Sequence, residues 1–218
     1  MSTVWKVLCG LWMAGVIVAA FAFVGPARGF QQPEAARIIL FHVPVAWLAV
    51  LSFLTAMLNA IRYLRRREMG HDVRSAAAAE MGFLFCVLAT LTGALFARIQ
   101  WGKAWSWDPR EISIFVLLLV YGAYFALRSA VDDEERRAAL SAVYAILAVP
   151  PMVFLVFVLP RIVWSLHPSD TMKSGHMSPE YRIVFFAALF GFTVLWAWLY
   201  RLRVGIQRIA DCRLQIAD

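Results

Sequence analysis

Six apolar runs, each close to twenty residues long and separated by short polar stretches, set the terms for this chain. They cover roughly Val4–Val24, Ile38–Ile61, Ala77–Ala97, Ile112–Leu127, Ala138–Leu159 and Tyr181–Leu202. A helix rises 1.5 Å per residue, so about 20 residues cross a hydrocarbon layer of about 30 Å. Lipid offers no partners to backbone N–H and C=O groups, so each run must be helical. The composition agrees. Hydrophobic residues make up 62% of the 218 and charged residues only 16%, against about a quarter charged in ordinary soluble domains. The expected fold is an all-α polytopic membrane protein with six transmembrane helices, a single integral membrane domain over residues 1–218. The fourth run is the shortest and should draw on its flanks. The first is long for a signal-peptide core and lacks a small-x-small site before Gly25-Pro26, so it reads as a retained helix.

A net charge of +7 raises the question of nucleic acid. The basic residues, however, sit in short clusters between apolar runs, which is a pattern of membrane topology and lipid contact. More of the Lys and Arg fall on the termini and the second and fourth connections than on the other three, and Arg65-Arg66-Arg67 is the densest cluster. Both termini are therefore expected in the cytoplasm. The outer face then receives Gly25–Arg37, Arg98–Arg110 and Pro160–Glu180, with His42 at the start of the second helix. His167 and His176 share the last outer loop, and His71 lies on the other side. Cys9, Cys86 and Cys212 form no CxxC pair, so no thiol redox or zinc site is indicated.

The densest chemistry lies in Trp101-Gly102-Lys103-Ala104-Trp105-Ser106-Trp107-Asp108-Pro109-Arg110-Glu111. Three tryptophans so close together suit an aromatic belt at the membrane interface or a broad, flat binding surface. Asp108 is placed to cap the fourth helix, with Pro109 at its first position and Glu111 completing a capping box. In Arg37–Pro44 the proline is tolerated near a helix start, so the helix should begin close to His42. An ionisable group at the edge of an apolar run is a functional candidate, balanced against a lone interfacial histidine. His167, in Trp164-Ser165-Leu166-His167, reads either as a ligand or as a solvated loop residue. Neutral imidazoles suit haem iron, and aromatic faces suit a porphyrin. The chain has no P-loop, GxGxxG, HExxH or serine elbow.

The tryptophan-rich stretch Trp101-Gly102-x-x-Trp105-x-Trp107-Asp108 resembles the WWD signature of haem-handling proteins. Together with six spans and the histidine positions, nearly the whole chain resembles the CcmC family of system I cytochrome c maturation. The continuation Asp108-Pro109-Arg110-Glu111 is also similar to the CcsA form of the signature, which makes a minimal cytochrome c synthetase the alternative.

The resemblance to CcmC implies a delivery protein, not an enzyme, in a bacterial inner membrane. It implies haem b on the outer face, against a WWD loop at about 98–110. His42 would be one axial ligand and His167, in a loop at about 160–180, the other. Trp101, Gly102, Trp105, Trp107, Asp108 and Arg110 would contribute to the cofactor site, with Arg110 and Lys103 as partners for the propionates. The implied partners are a CcmE-type haem chaperone, CcmA- and CcmB-type transporter subunits and a small CcmD-like helix.

Overall fold

The computed structural model describes residues 3–27, 30–167 and 178–217, the side chains of 211–217 excepted. It is helical throughout, and no strand occurs among the described residues. The helices are α1 (Thr3–Ala22), α2 (Ile39–Arg66), α3 (Met69–Trp101), α4 (Pro109–Ala130), α5 (Glu134–Leu147), α6 (Val149–Val153), α7 (Leu159–Ile162) and α8 (Pro179–Ala217). A 3-10 turn, Ala35–Ile38, leads into α2, and a π-helical turn, Phe154–Val158, joins α6 to α7. Six segments are long and apolar enough to cross a membrane, with α5 to α7 acting as one broken span, Glu134–Ile162. The protein is thus a six-span polytopic membrane protein.

Beyond the first span, the helices outrun the apolar runs that announce them. The fourth takes both its flanks, Pro109–Ala130. The second and third meet across only two non-helical residues. Arg67 closes α2 in the left-handed conformation at φ 57°, donating its N–H to Tyr63 O, and Glu68 is extended before α3 begins. Arg65 and Arg66 are accordingly helical. Polar residues near a helix end can hydrogen-bond outward without breaking the helix, which is why hydropathy alone ended these elements early. At its far end α3 runs on through Arg98 and Gln100 to Trp101. Gln100 is buried there and makes two hydrogen bonds to the backbone of Gln32, at 3.1 and 2.8 Å. It pins the connection between α1 and α2 to the end of α3.

The centre of the bundle is the α2–α3 pair, the most extensive helix contact. Ala76, Ala77, Ala78 and Ala79 are all buried, as are Ala56 and Ala60 of α2. Small side chains let two backbones approach closely, which is how helices gain packing where lipid removes the hydrophobic drive. Phe53 lies so close to Gly82 that a Cβ there would sit 2.4 Å from its ring. Phe53 also stacks on Tyr121 of α4, with ring centroids 3.5 Å apart. At the end remote from the tryptophan loop, Arg128 of α4 makes a bidentate ion pair with buried Asp72 of α3, at 2.8 and 2.9 Å. α1 stands at the periphery and packs mainly on α8. Within the fifth span, Pro150 and Pro151 remove two backbone donors, and the π-helical turn follows. Such breaks bend helices. Leu155, Val156 and Pro160 of this broken stretch form part of the wall of a cavity near the tryptophan loop.

Candidate functional site

The segment between α3 and α4 is shorter than its sequence suggests. Trp101 is the last residue of α3, and only Gly102–Trp107 separate it from the cap of α4. Gly102 caps α3 at φ 78°, a conformation glycine adopts without steric cost, and donates its N–H to Arg98 O. Trp107 is also left-handed, at φ 59°, which is uncommon for a bulky residue and marks a tightly determined turn. Asp108 follows as the N-cap, with Pro109 at the first helical position. Glu111 reaches back so that Oε2 accepts from Ser106 N at 2.7 Å and Asp108 N at 3.1 Å. This is the capping box expected from the spacing, extended to grip Ser106 as well.

The three tryptophans do not make one flat surface. The turn at Trp107 sets its ring at 88° to that of Trp105, with centroids 5.7 Å apart. Trp105 lines the cavity, whereas Trp107 packs its edge on Phe115 and is 65% exposed. Trp101 points elsewhere, edge-on to the His167 ring at 5.2 Å and to Phe96 at 5.6 Å.

Asp108 has a second set of partners from far along the chain. Its Oδ1 accepts from Arg110 N at 2.9 Å and from Ser165 Oγ at 2.8 Å, and its Oδ2 accepts from Leu166 N at 2.7 Å. Ser165 Oγ in turn accepts from His167 N. His167 Nδ1 lies 3.4 Å from Asp108 Oδ1, close but without the alignment of a hydrogen bond. Burial favours the neutral acid at Asp108. The donors at Arg110, Leu166 and Ser165, with His167 nearby, outweigh that and hold the carboxyl below its ordinary value. Burial lowers the pKa of His167, and the Arg110 guanidinium adds to this, against the pull of Asp108. A neutral imidazole, the ligand form, is the result.

His42 stands in the first turns of α2, half-buried. Its Nδ1 is 2.9 Å from Thr92 Oγ1 of α3. Beside Thr92, Gly93 leaves the space the ring needs, since a Cβ there would lie 3.1 Å from His42 Cε1.

His42, His167, Trp105, Arg110 and Glu111 line one cavity, closed by Ala46, Ile114, Leu155 and other apolar side chains. Two histidines from α2 and the segment before α8 are therefore brought together. Arg110 Nε and Glu111 Oε1 are buried there without hydrogen-bond partners among the described residues. Lys103 is exposed and does not line the cavity. His176 lies outside the described residues. Thr92 and Gly93 escaped the sequence reading, and their residue types give no signal; Ser165 stood in it as a neighbour of His167 but not as a partner of Asp108. Glu111 was expected as a cap but not as cavity wall.

Fold and site together define a six-span membrane protein whose broken fifth helix and tryptophan loop border a cavity lined by two histidines. The family model described as heme exporter protein C matches residues 1–215, and the chain belongs to that family. The chain is similar to proteins named heme exporter protein C from three bacteria. The Bradyrhizobium diazoefficiens protein is 32% identical over 89% of this chain and 76% of its own length. That from Paracoccus denitrificans is 29% identical, over 87% and 83%. That from Escherichia coli K12 is 29% identical, over 90% and 84%.

Proposed function

We propose that this protein binds haem b in the cavity shared by His42 and His167 and hands it on for cytochrome c maturation. The observation that carries this reading is the convergence of those two histidines with Trp105 and Arg110 on one cavity. The donor set suits haem. Two imidazoles supply iron ligands, Trp105 and the aliphatic side chains supply an apolar wall, and Arg110 offers an unpartnered buried Nε to a propionate. The cavity measures about 160 Å³. Trp101, Gly102, Trp107 and Asp108 act here less by touching the cargo than by shaping the loop and holding His167. When bound, haem supplies an iron centre that takes both imidazoles.

The charge pattern supports both termini in the cytoplasm and the cavity on the outer, periplasmic face of the bacterial inner membrane. The recipient in this reading is a CcmE-type haem chaperone, with CcmA- and CcmB-type subunits and a CcmD-like helix in the same assembly. The protein itself delivers without catalysing attachment. The test is the absorption spectrum of the purified protein beside His42→Ala and His167→Ala. Wild type carries a Soret band, and each variant loses or shifts it. A haem-free wild type, or unchanged bands in both variants, would falsify the reading. Holocytochrome formed from this protein, haem, a thiol reductant and apocytochrome alone would instead establish a synthetase of the CcsA type.

A further inference from the structure

The contact between His42 and Thr92 contains more information than its distance. Thr92 Oγ1 lies 2.7 Å from Leu88 O, one helical turn back, and 3.2 Å from Ala89 O. A carbonyl oxygen only accepts, and a threonine hydroxyl has a single hydrogen. Back-bonding of this kind is the usual resting place of a threonine hydroxyl inside an apolar helix. With that hydrogen directed at Leu88 O, the 2.9 Å contact to His42 Nδ1 is a hydrogen bond only if Nδ1 carries the proton. The arrangement with Nδ1–H makes two hydrogen bonds, and the opposite tautomer makes one. In a half-buried, mostly apolar setting the arrangement that satisfies more groups prevails.

A neutral imidazole with its proton on Nδ1 has its lone pair on Nε2. Among the described residues the hydrogen-bond contact of the His42 ring is the one at Nδ1, which leaves Nε2 without one, and the side chain lines the cavity. Gly93 leaves room for the ring, since a Cβ there would stand 3.1 Å from Cε1. The hydroxyl thus fixes the proton, and the adjacent glycine on α3 leaves the ring room to take that position.

We infer that Thr92 is a positioning residue that holds His42 as the Nδ1–H tautomer and so presents an Nε2 lone pair to the cavity, ready to ligate a metal-centred cargo. The haem half of this statement rests on the function proposed above. The tautomer half does not, because it is a property of the ligand-free protein. Partners at the far ring nitrogen commonly set the orientation and basicity of a ligating histidine.

The test uses the full-length protein in lipid nanodiscs with nitrogen-15 histidine. The His42 signals are assigned by their loss in His42→Ala, and spectra are recorded without haem where the ring is neutral. Wild type should show Nδ1 protonated and Nε2 bare. Thr92→Val keeps the shape but lacks the acceptor. It should shift the tautomer and weaken haem binding roughly tenfold or more. Thr92→Ser should retain both properties. A wild-type ring protonated at Nε2 overturns the inference, as does Thr92→Val with unchanged tautomer or unchanged haem affinity, or Thr92→Ser that behaves like the valine variant. If the tautomer behaves as stated but wild type never takes up haem, the haem assignment fails and the hydrogen-bond assignment stands.

Discussion

Asp108 Oδ2 accepts a hydrogen bond from Leu166 N at 2.7 Å while Oδ1 caps α4 at Arg110 N. One buried carboxylate therefore starts the fourth helix and anchors the segment that carries His167. The two roles are separable. Asp108→Asn can keep Oδ1 for the cap, but its amide then presents hydrogens to the Leu166 N–H. Asp108→Ala loses both roles, and the cap alone is worth about 1 kcal/mol. The asparagine variant should keep most of its thermal stability and lose most of its haem. The alanine variant should lose both. Comparing melting temperature with Soret absorbance per protein checks this. Equal haem content in wild type and Asp108→Asn would refute the anchor.

The tryptophans should not be equivalent. Trp105 forms cavity wall, and Trp107 is largely exposed and packs by its edge. Trp105→Ala removes wall and should lower haem retention several-fold. Trp107→Ala should leave retention within about twofold, and Trp107→Gly should suit the left-handed turn without strain. Haem dissociation rates to an apo-globin acceptor measure the difference. If Trp107→Ala releases haem as fast as Trp105→Ala, the cavity is drawn wrongly.

Gly93 offers a substitution in which stability and binding move apart. Alanine is the better helix former by about 1 kcal/mol, so Gly93→Ala should not weaken α3. Its Cβ, however, would press on His42 Cε1 at 3.1 Å. The ring must then tilt, and haem affinity should fall roughly tenfold while the melting temperature holds or rises. Titration of haem into the apo variant gives the answer, and unchanged affinity would show that the ring has room to spare.

What the sequence made legible follows from how far each signal reaches. Apolar length is a local property, so the six spans could be read directly. The cap at Asp108, Pro109 and Glu111 could be read for the same reason. His42 and His167 were legible as candidates because ionisable residues stand out beside apolar runs. Their partners were not. Thr92 reaches His42 across fifty positions and Ser165 reaches Asp108 across fifty-seven, and threonine and serine are unremarkable in such helices and loops. The tryptophans misled for a related reason. Their spacing suggests a shared surface, but a single left-handed residue at Trp107 turns the rings apart, and no residue type announced that conformation. The end of α3 was misplaced because a polar residue, Gln100, found its partner outside the helix, at the backbone of Gln32.

The ion pair between Asp72 and Arg128 belongs to the architecture and not to the site, and its energetics should show it. Both side chains are largely buried, at 5% and 15% exposure. A buried pair contributes little net stability, because desolvating two charges offsets most of their attraction. Breaking it is another matter, since the survivor is left uncompensated. Asp72→Leu alone should therefore destabilise the protein by about 3 kcal/mol. Adding Arg128→Met should recover most of that loss, because no buried charge remains and the helices can repack with aliphatic side chains. Haem content per folded molecule should stay near wild type in the double variant, since the pair sits at the end of the bundle remote from His42 and His167. Unfolding followed in mixed detergent with increasing denaturing surfactant provides the comparison. If the double variant is no more stable than Asp72→Leu, the pair has a role that apolar packing cannot replace.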